Sequence, residues 1–368
     1  MINYNSSKEI IIFIPSIESG GVEKNFFILL KFLLKFYTKI NLVTSSKIKL
    51  SKHLKKVKII KPNSKFWINQ NRLVKSIVCL FLLIKFFPKN KFLLFSFQSN
   101  FFSIIASKLM GWPIILRLNT SPEKYVNNFF KIILFKTLYK LGDEIIVNSK
   151  EFKNNIKRIL GLNSIVIYNP VYNKGIRKKK IKILKKYKGL KILNIGRLTD
   201  QKDHLTLLKS IKVILDKKKI DLKLFIIGGG QNFVMLKNYI NQNQLHKNIF
   251  LLGYKKNAFE YMRSFDLFIL SSRYEGLPNT LIEAQISKLP IISSDCPSGP
   301  KEILMNGKLG TLFKTGNYQD LSKKILLFCE NRKKFELKAA KAKKYLRRFD
   351  ENKNLTKFLM IINKYIKN

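Results

Sequence analysis

Short apolar runs alternate with stretches of helical periodicity along the whole chain. Runs rich in Ile, Leu, Val and Phe, too short for helices, predict strands at 10–14, 40–43, 57–60, 92–97, 113–116, 144–147 and 165–168. A second series follows at 191–195, 222–227, 249–252, 267–270, 291–293 and 311–313, and the intervals carry helical patterns. Strands that alternate with helices predict an α/β protein with parallel sheets flanked by helices. A chain of 368 residues is too long for one core. Asn169-Pro170 stops the first series, and the stretch that follows is dense in Lys and Arg and poor in apolar residues. The expected division is a first domain at 1–172, a basic linker at 173–190, a second domain at 191–350 and a helical tail at 351–368.

Four places in this pattern carry candidate chemistry. After the strand ending at Leu270, Gly276 and Pro278 break the chain and a helix restarts around Leu281. That places Glu275 at a strand's carboxyl end and Glu283 about two turns into the next helix. In open α/β sheets, ligands bind at such strand ends, so the two carboxylates are either a pair gripping hydroxyl-rich parts of one ligand or a surface Glu and a helix-face Glu. The turn Gly196-Arg197 ends another strand, with Lys202 expected at the start of the next helix. Arg and Lys near a helix N-terminus suit a diphosphate, or are simply two more cations in a basic chain. Gly228-Gly229-Gly230 after a strand marks a ligand approach or a tight turn. Gly20-Gly21 opens a helix beginning near Val22, without the full dinucleotide fingerprint. His204 reads as a helix N-terminal residue packed locally, and His53 and His246 as residues of polar loops.

Composition changes the picture in one respect. Lys and Arg number 71 against 22 Asp and Glu, a net charge of +49, and no acid occurs between Glu23 and Glu123. Such a field favours an anionic partner, whether membrane surface, nucleic acid or phosphorylated ligand, unless it is compositional drift. Cys79, Cys296 and Cys329 have no metal-type spacing and read as buried, reduced thiols of a cytosolic protein. Lys8-Glu9 leads straight into the first strand, so no signal peptide is expected. No Asp-x-Asp pair, Cys/His cluster or HExxH appears, so no metal and no cofactor are expected.

Glu275-x7-Glu283, Gly196-Arg197-Leu198 with Gln201-Lys202, and Gly20-Gly21-Val22-Glu23 occur together and in order. With Leu289-Pro290 and the stretch from Asp295-Cys296-Pro297 to Leu304, they resemble the retaining glycosyltransferases of family 4. The likeness is to bacterial members that build surface polysaccharides and lipid-linked oligosaccharides. It spans nearly the whole chain and is sharpest in the second domain. It implies the GT-B fold, two Rossmann-like domains with parallel sheets facing an interdomain cleft, with the last helix crossing back onto the first domain. It also implies a metal-independent transfer of a hexose or N-acetylhexosamine from a nucleotide diphosphate sugar, with uridine the expected base. Glu275 would contact donor-sugar hydroxyls, Glu283 the ribose, and Arg197 and Lys202 the diphosphate. Gly20 and Gly21 would close over the phosphates, and backbone at Gly276, Leu277, Asn279 and Thr280 would cap them. Gly196 belongs to the same motif, and Gly228, Gly229 and Tyr254 would lie near the base. Asn119 stands where many members of the family carry a His, and an amide hydrogen-bonds but does not titrate near neutral pH.

The acceptor implied is lipid-linked or polymeric, with the enzyme peripheral to the inner face of the cytoplasmic membrane. Apolar runs interleaved with lysines at 26–36, 77–87 and 129–136 suit interfacial helices, and equally helices of the core with lysines outward. The first is expected to face the core, the other two an anionic membrane. Two other classes compete: a sugar-phosphate or nucleotide-sugar isomerase or epimerase of the same architecture, and a basic nucleic-acid-binding protein. The second is disfavoured because the aromatics lie within apolar runs rather than among basic residues.

Overall fold

The computed structural model describes residues 9–18, 20–48, 54, 56–120, 122–124, 126, 128–171, 187–218 and 220–366. His53 and the linker residues 173–186 lie outside the described residues. Two compact units divide the chain, one formed by 1–170 with 352–368, the other by 171–351.

The first unit holds β1 (Glu9–Phe13), β2 (Ile40–Val43), β3 (Lys58–Ile60), β4 (Phe92–Ser96), β5 (Ile114–Arg117), β6 (Glu144–Val147) and β7 (Ile165–Val166). They form one parallel sheet in the order β3-β2-β1-β4-β5-β6-β7. Its helices are α1 (Gly21–Leu33), α2 (Lys65–Ile68), α3 (Arg72–Phe86), α4 (Asn100–Met110), α5 (Phe129–Lys140) and α6 (Lys150–Leu160). The second unit holds β8 (Leu190–Ile195), β9 (Leu222–Ile227), β10 (Ile249–Leu251), β11 (Leu267–Leu270), β12 (Ile291–Ser294) and β13 (Thr311–Phe313). They too are parallel, in the order β10-β9-β8-β11-β12-β13. With them are α7 (His204–Lys217), α8 (Phe233–Gln242), α9 (Asn279–Ile286), α10 (Pro300–Ile303), α11 (Tyr318–Glu330) and α12 (Arg332–Ala342). The last helix, α13 (Glu351–Ile366), supplies 352–366 to the first unit.

Strands buried on both faces must be apolar throughout, which is why short unbroken runs mark them. The two-residue period of β1 divides its side chains between two cores. Ile10 and Ile12 join Phe26, Leu30, Phe95 and Phe358 on one side. Ile11 and Phe13 join Cys79, Leu83, Trp112 and Phe152 on the other. The helix expected near Val22 does face the core: Phe26, Leu29, Leu30 and Leu33 of α1 are buried. One expectation fails. Cys79 and Cys296 are buried thiols, but Cys329 near the end of α11 is exposed, since the core face of that helix is taken by Leu321, Ile325 and Phe328.

Arg117 is an unexpected member of the first unit's core. Its guanidinium is buried at the end of β5. Nη1 donates to the carbonyls of Val147 (3.2 Å) and Ile167 (3.0 Å), and Nη2 to Asn169 Oδ1 (3.0 Å). The ring of Phe358 lies 5.3 Å from its centre, within cation–π range. Burial lowers its pKa to about 9, which leaves the group charged at neutral pH, with carbonyl dipoles, the Asn169 amide oxygen and a ring face in place of water. Phe358 also packs on Phe95, at 6.0 Å between ring centres. Phe358→Ala is expected to destabilise the first unit by about 3–5 kcal/mol, read as a lower urea midpoint; an unchanged midpoint would exclude this role.

Candidate functional site

Each sheet has one point where the strand order reverses, between β1 and β4 and between β8 and β11. Such switch points open a crevice at the strands' carboxyl ends. In the second unit, Leu193 of β8 pairs with Phe268 of β11, which brings the loops after these strands side by side. Those loops are Gly196 to Asp203 and Ser271 to Glu275. Hydrogen bonds stitch them together: Arg273 N–H to the Gln201 carbonyl (2.8 Å), Gln201 Nε2 to the Tyr274 carbonyl (3.1 Å), and Ser271 Oγ to the Lys202 carbonyl (2.8 Å).

The ion pair between Lys202 Nζ and Glu275 Oε1, at 2.5 Å, lies between the loops, with both side chains largely buried. Ser272 Oγ donates to the same oxygen at 2.6 Å. Both bonds fall on Oε1. The Glu275 N–H donates to the Pro297 carbonyl at 3.2 Å, and Ser294 Oγ to the Ser272 carbonyl at 2.6 Å, which fixes the loop from the β12 side. Cys296 is buried there, and burial together with the Glu275 charge pushes its thiol pKa up to about 12, an inert neutral side chain.

Lys202 is not at the start of a helix, as its sequence suggests. It ends a 3₁₀ turn, Asp200–Lys202. Asp203 then adopts a left-handed conformation (φ 46°) and caps α7, its carboxylate accepting from Thr206 N–H (3.4 Å) and Oγ1 (2.8 Å). Arg273 Nε pairs with the same carboxylate at 3.2 Å. Sequence reading gave no role to Asp203 or Ser272, and quoted Gln201 only as part of the motif with Lys202. The Asp-x-x-Thr spacing is a legible cap; the other two act through contacts between loops far apart in sequence.

Glu283 also moves. Pro278, extended (φ −68°, ψ 107°), occupies the N-cap, so α9 begins at Asn279 and Glu283 lies about one turn in, not two. Glu283 is buried, as are Leu277 and Asn279, while Gly276 and Thr280 are half-buried. The loop carrying Gly276 is pinned by Gly299 (φ 96°), where a Cβ would stand 2.5 Å from the Gly276 carbonyl. Gly196 lies along the stem of Lys202, and Arg197 is exposed. A Cβ on Gly228 would stand 1.8 Å from the Gly196 carbonyl, so this glycine serves the approach of two backbones. Gly229 faces open space, and Tyr254 is exposed.

The remaining candidates belong to the first unit. Gly20 caps α1, Gly21 is its first residue, and Asn119 follows β5 with its amide donating to the Phe97 carbonyl beyond β4 at 2.7 Å. Among the described residues no group of three or more His, Cys, Asp or Glu could hold a metal ion.

His204, first residue of α7, is buried as expected. Asn194 Nδ2 donates to the Ile269 carbonyl (2.8 Å), so its Oδ1 accepts from His204 Nε2 (3.0 Å), which fixes the Nε2–H tautomer. Nδ1 has no hydrogen-bond partner among the described residues. Burial, then the charge of Lys202, lowers the His204 pKa to about 4. The unfolded chain binds this proton near pH 6.5. Stability from neutral His204 is therefore complete above pH 6.5 and lost as pH falls towards 4, by at most about 3 kcal/mol. His204→Gln is expected to flatten the fall in urea midpoint across that interval; an unchanged pH profile counts against this.

Residues 176–354 match the family described as Glycosyl transferases group 1. An uncharacterized glycosyltransferase of Methanocaldococcus jannaschii is 34% identical over 58% of this chain and 60% of its own length. The Campylobacter jejuni N-acetylgalactosamine-N,N'-diacetylbacillosaminyl-diphospho-undecaprenol 4-alpha-N-acetylgalactosaminyltransferase is 28% identical over 93% of this chain and 96% of its own. The crystal structure of Anabaena HepE with UDP-glucose superposes with a TM-score of 0.78, at 18% identity, over 97% of this chain and 99% of that one. That likeness is one of fold, two Rossmann-like α/β units of the GT-B class. Over residues 176–354, just under half of its length, the chain is thus similar to the glycosyl transferases group 1 family.

Proposed function

We propose that the protein is a retaining, metal-independent hexosyltransferase. It takes a hexose or N-acetylhexosamine from a nucleotide diphosphate sugar, with uridine as the base, and passes it to a lipid-linked or polymeric acceptor at the cytoplasmic membrane face. The observation that carries this reading is the Lys202–Glu275–Ser272 cluster at the β8/β11 switch point. An ammonium group and a carboxylate side by side suit a ligand that is anionic at one end and hydroxylated at the other. The relatives add support: one is named for a diphospho-undecaprenol acceptor, and the Anabaena structure holds UDP-glucose.

In this reading Glu275 accepts from donor-sugar hydroxyls and Glu283 holds the ribose. Lys202 and Arg197 meet the diphosphate as negative charge builds on the leaving group, with the N-terminal end of α9 adding its dipole. Gly276, Leu277, Asn279 and Thr280 line the approach to that helix end, and Gly229 and Tyr254 lie towards the base. The leaving diphosphate takes the acceptor's proton on the face it departs from, so the anomeric configuration is kept. Gly20, Gly21 and Asn119 keep the roles that the resemblance implies for the first unit.

Glu275→Gln, which preserves shape, and Lys202→Met are each expected to lower kcat by about 10²-fold or more, with an unchanged far-ultraviolet circular dichroism spectrum. Full turnover in both variants would falsify the site. Ser272 acts on Glu275 as a positioning residue. Ser272→Ala is expected to lower kcat about tenfold at constant donor KM, and Ser272→Thr to restore most of it, because one hydrogen bond to a charged group is at stake. A rise in KM alone would instead place Ser272 in donor binding.

A further inference from the structure

We propose that the outward face of the first unit's helices α2 to α5 docks on an anionic lipid bilayer. The proposal rests on the reading of a membrane-borne acceptor for its purpose, and on the following observations for its place. Helix α3 buries Ser76, Cys79 and Leu83 against the sheet. At 100° per residue, its Leu73, Ile77, Phe81 and Ile84 form a second stripe about 80° wide, and all four are exposed, Phe81 by 65%. Helix α5 repeats this. Tyr139 is its buried residue, yet Phe129, Phe130, Ile133 and Leu134 face outward, Phe130 81% exposed. Helix α4 packs between the two, with Phe101 and Leu109 exposed, and α2 packs beside α3, with Phe66 and Trp67 exposed. A soluble exterior seldom gathers so many large apolar side chains on neighbouring elements.

The charge on this face has one sign. Helices α2 to α5 contain no Asp or Glu. Exposed Arg72 and Lys85 flank the stripe of α3, and Lys131, Lys136 and Lys140 that of α5. The adjoining α6 is equally basic outside but carries no exposed large apolar residue, so the combination of apolar stripes with cations is particular to α2 to α5. It buries Phe152, Ile156 and Leu160 and exposes Lys150, Lys153, Asn154, Lys157 and Arg158. Apolar residues ringed by cations alone fit acyl chains beneath anionic headgroups. A second protein surface would need acidic complements, and a second copy of this face would set cation against cation. Contact is with the interface: α3, about 22 Å long, is shorter than a bilayer core, and among the described residues no helix is long and apolar enough to cross a membrane.

The test is cosedimentation of the full chain with vesicles, either pure phosphatidylcholine or with about a third phosphatidylglycerol. Binding is expected to be at least about tenfold tighter to the anionic vesicles and to weaken as salt rises. The pair Phe81→Glu and Phe130→Glu, at exposed positions, is expected to lower that affinity by about tenfold or more. Lys150→Glu with Lys157→Glu on α6 should lower it much less. Equal binding to both vesicles, unchanged binding by the Phe81/Phe130 pair, or a self-association that this pair abolishes without any vesicle binding would each overturn the proposal. UDP-induced thermal stabilisation is expected to be the same in wild type and in the Phe81/Phe130 variant. Vesicle binding without any UDP effect leaves the docking face standing and removes the transferase reading.

Discussion

The contact between Lys202 and Glu275 decides how the carboxyl end of the second sheet is arranged. Withdrawing two opposite charges from water costs several kcal/mol per ion, and their attraction recovers this only where geometry is tight and further hydrogen bonds are made. Ser272 and the stitched loops supply that geometry. The pair is therefore poor evidence for stability and better evidence for specificity. It sets one orientation of the Glu275 carboxylate and keeps a cation at the switch point before any ligand arrives. Preorganised charge of this kind is what a transferase needs where a diphosphate departs. The glycines serve the same end. Gly228 lets the β9 loop lie against Gly196, and Gly299 lets the β12 loop press on Gly276, so the paired charges sit in a frame of backbone rather than of mobile side chains.

Much of the fold was legible in the chain because parallel strands covered on both faces have no polar side to present. Each apolar run taken as a strand is one, with ends that move by at most two residues. The helix starts were harder. Lys202 looked helical because the 3₁₀ turn before α7 has no periodic signature, and the left-handed Asp203 that ends it is visible only in the backbone. The depth of two turns expected for Glu283 does not hold, because Pro278 takes the N-cap and α9 begins only four residues before it, at Asn279. The candidate site was legible as residue types at strand ends, but not as an arrangement. Lys202 and Glu275 are 73 positions apart, and their meeting depends on β8 lying next to β11. Ser272 left no trace of its own, since a serine at a strand end is ordinary. Cys329 misled because burial is common for a free thiol but is set by helix phase, and α11 turns that position outward.

The buried Arg117 shows the same economy in the first unit. It lies where β5 ends, and its donors reach the carbonyl of Val147 in β6, which also accepts from Ile167 N–H, and that of Ile167 after β7. No carboxylate accepts from it among its hydrogen bonds, so peptide dipoles, Asn169 and the face of Phe358 hold the charge. A single side chain thereby couples three strand ends to a helix more than two hundred residues further along the chain.

That coupling has a consequence for biogenesis. The core beside β1 includes Leu355, Phe358, Ile362 and Ile366, so the first unit is discontinuous in sequence, whereas the second is one continuous stretch, 171–351. A ribosome adding about 5–20 residues per second delivers every residue of the second unit before the helix that completes the first. The unit that begins first is thus finished last. Until α13 emerges, the part of this core that α1 does not cover stays exposed for about ten seconds or more, with apolar surface open to misassociation.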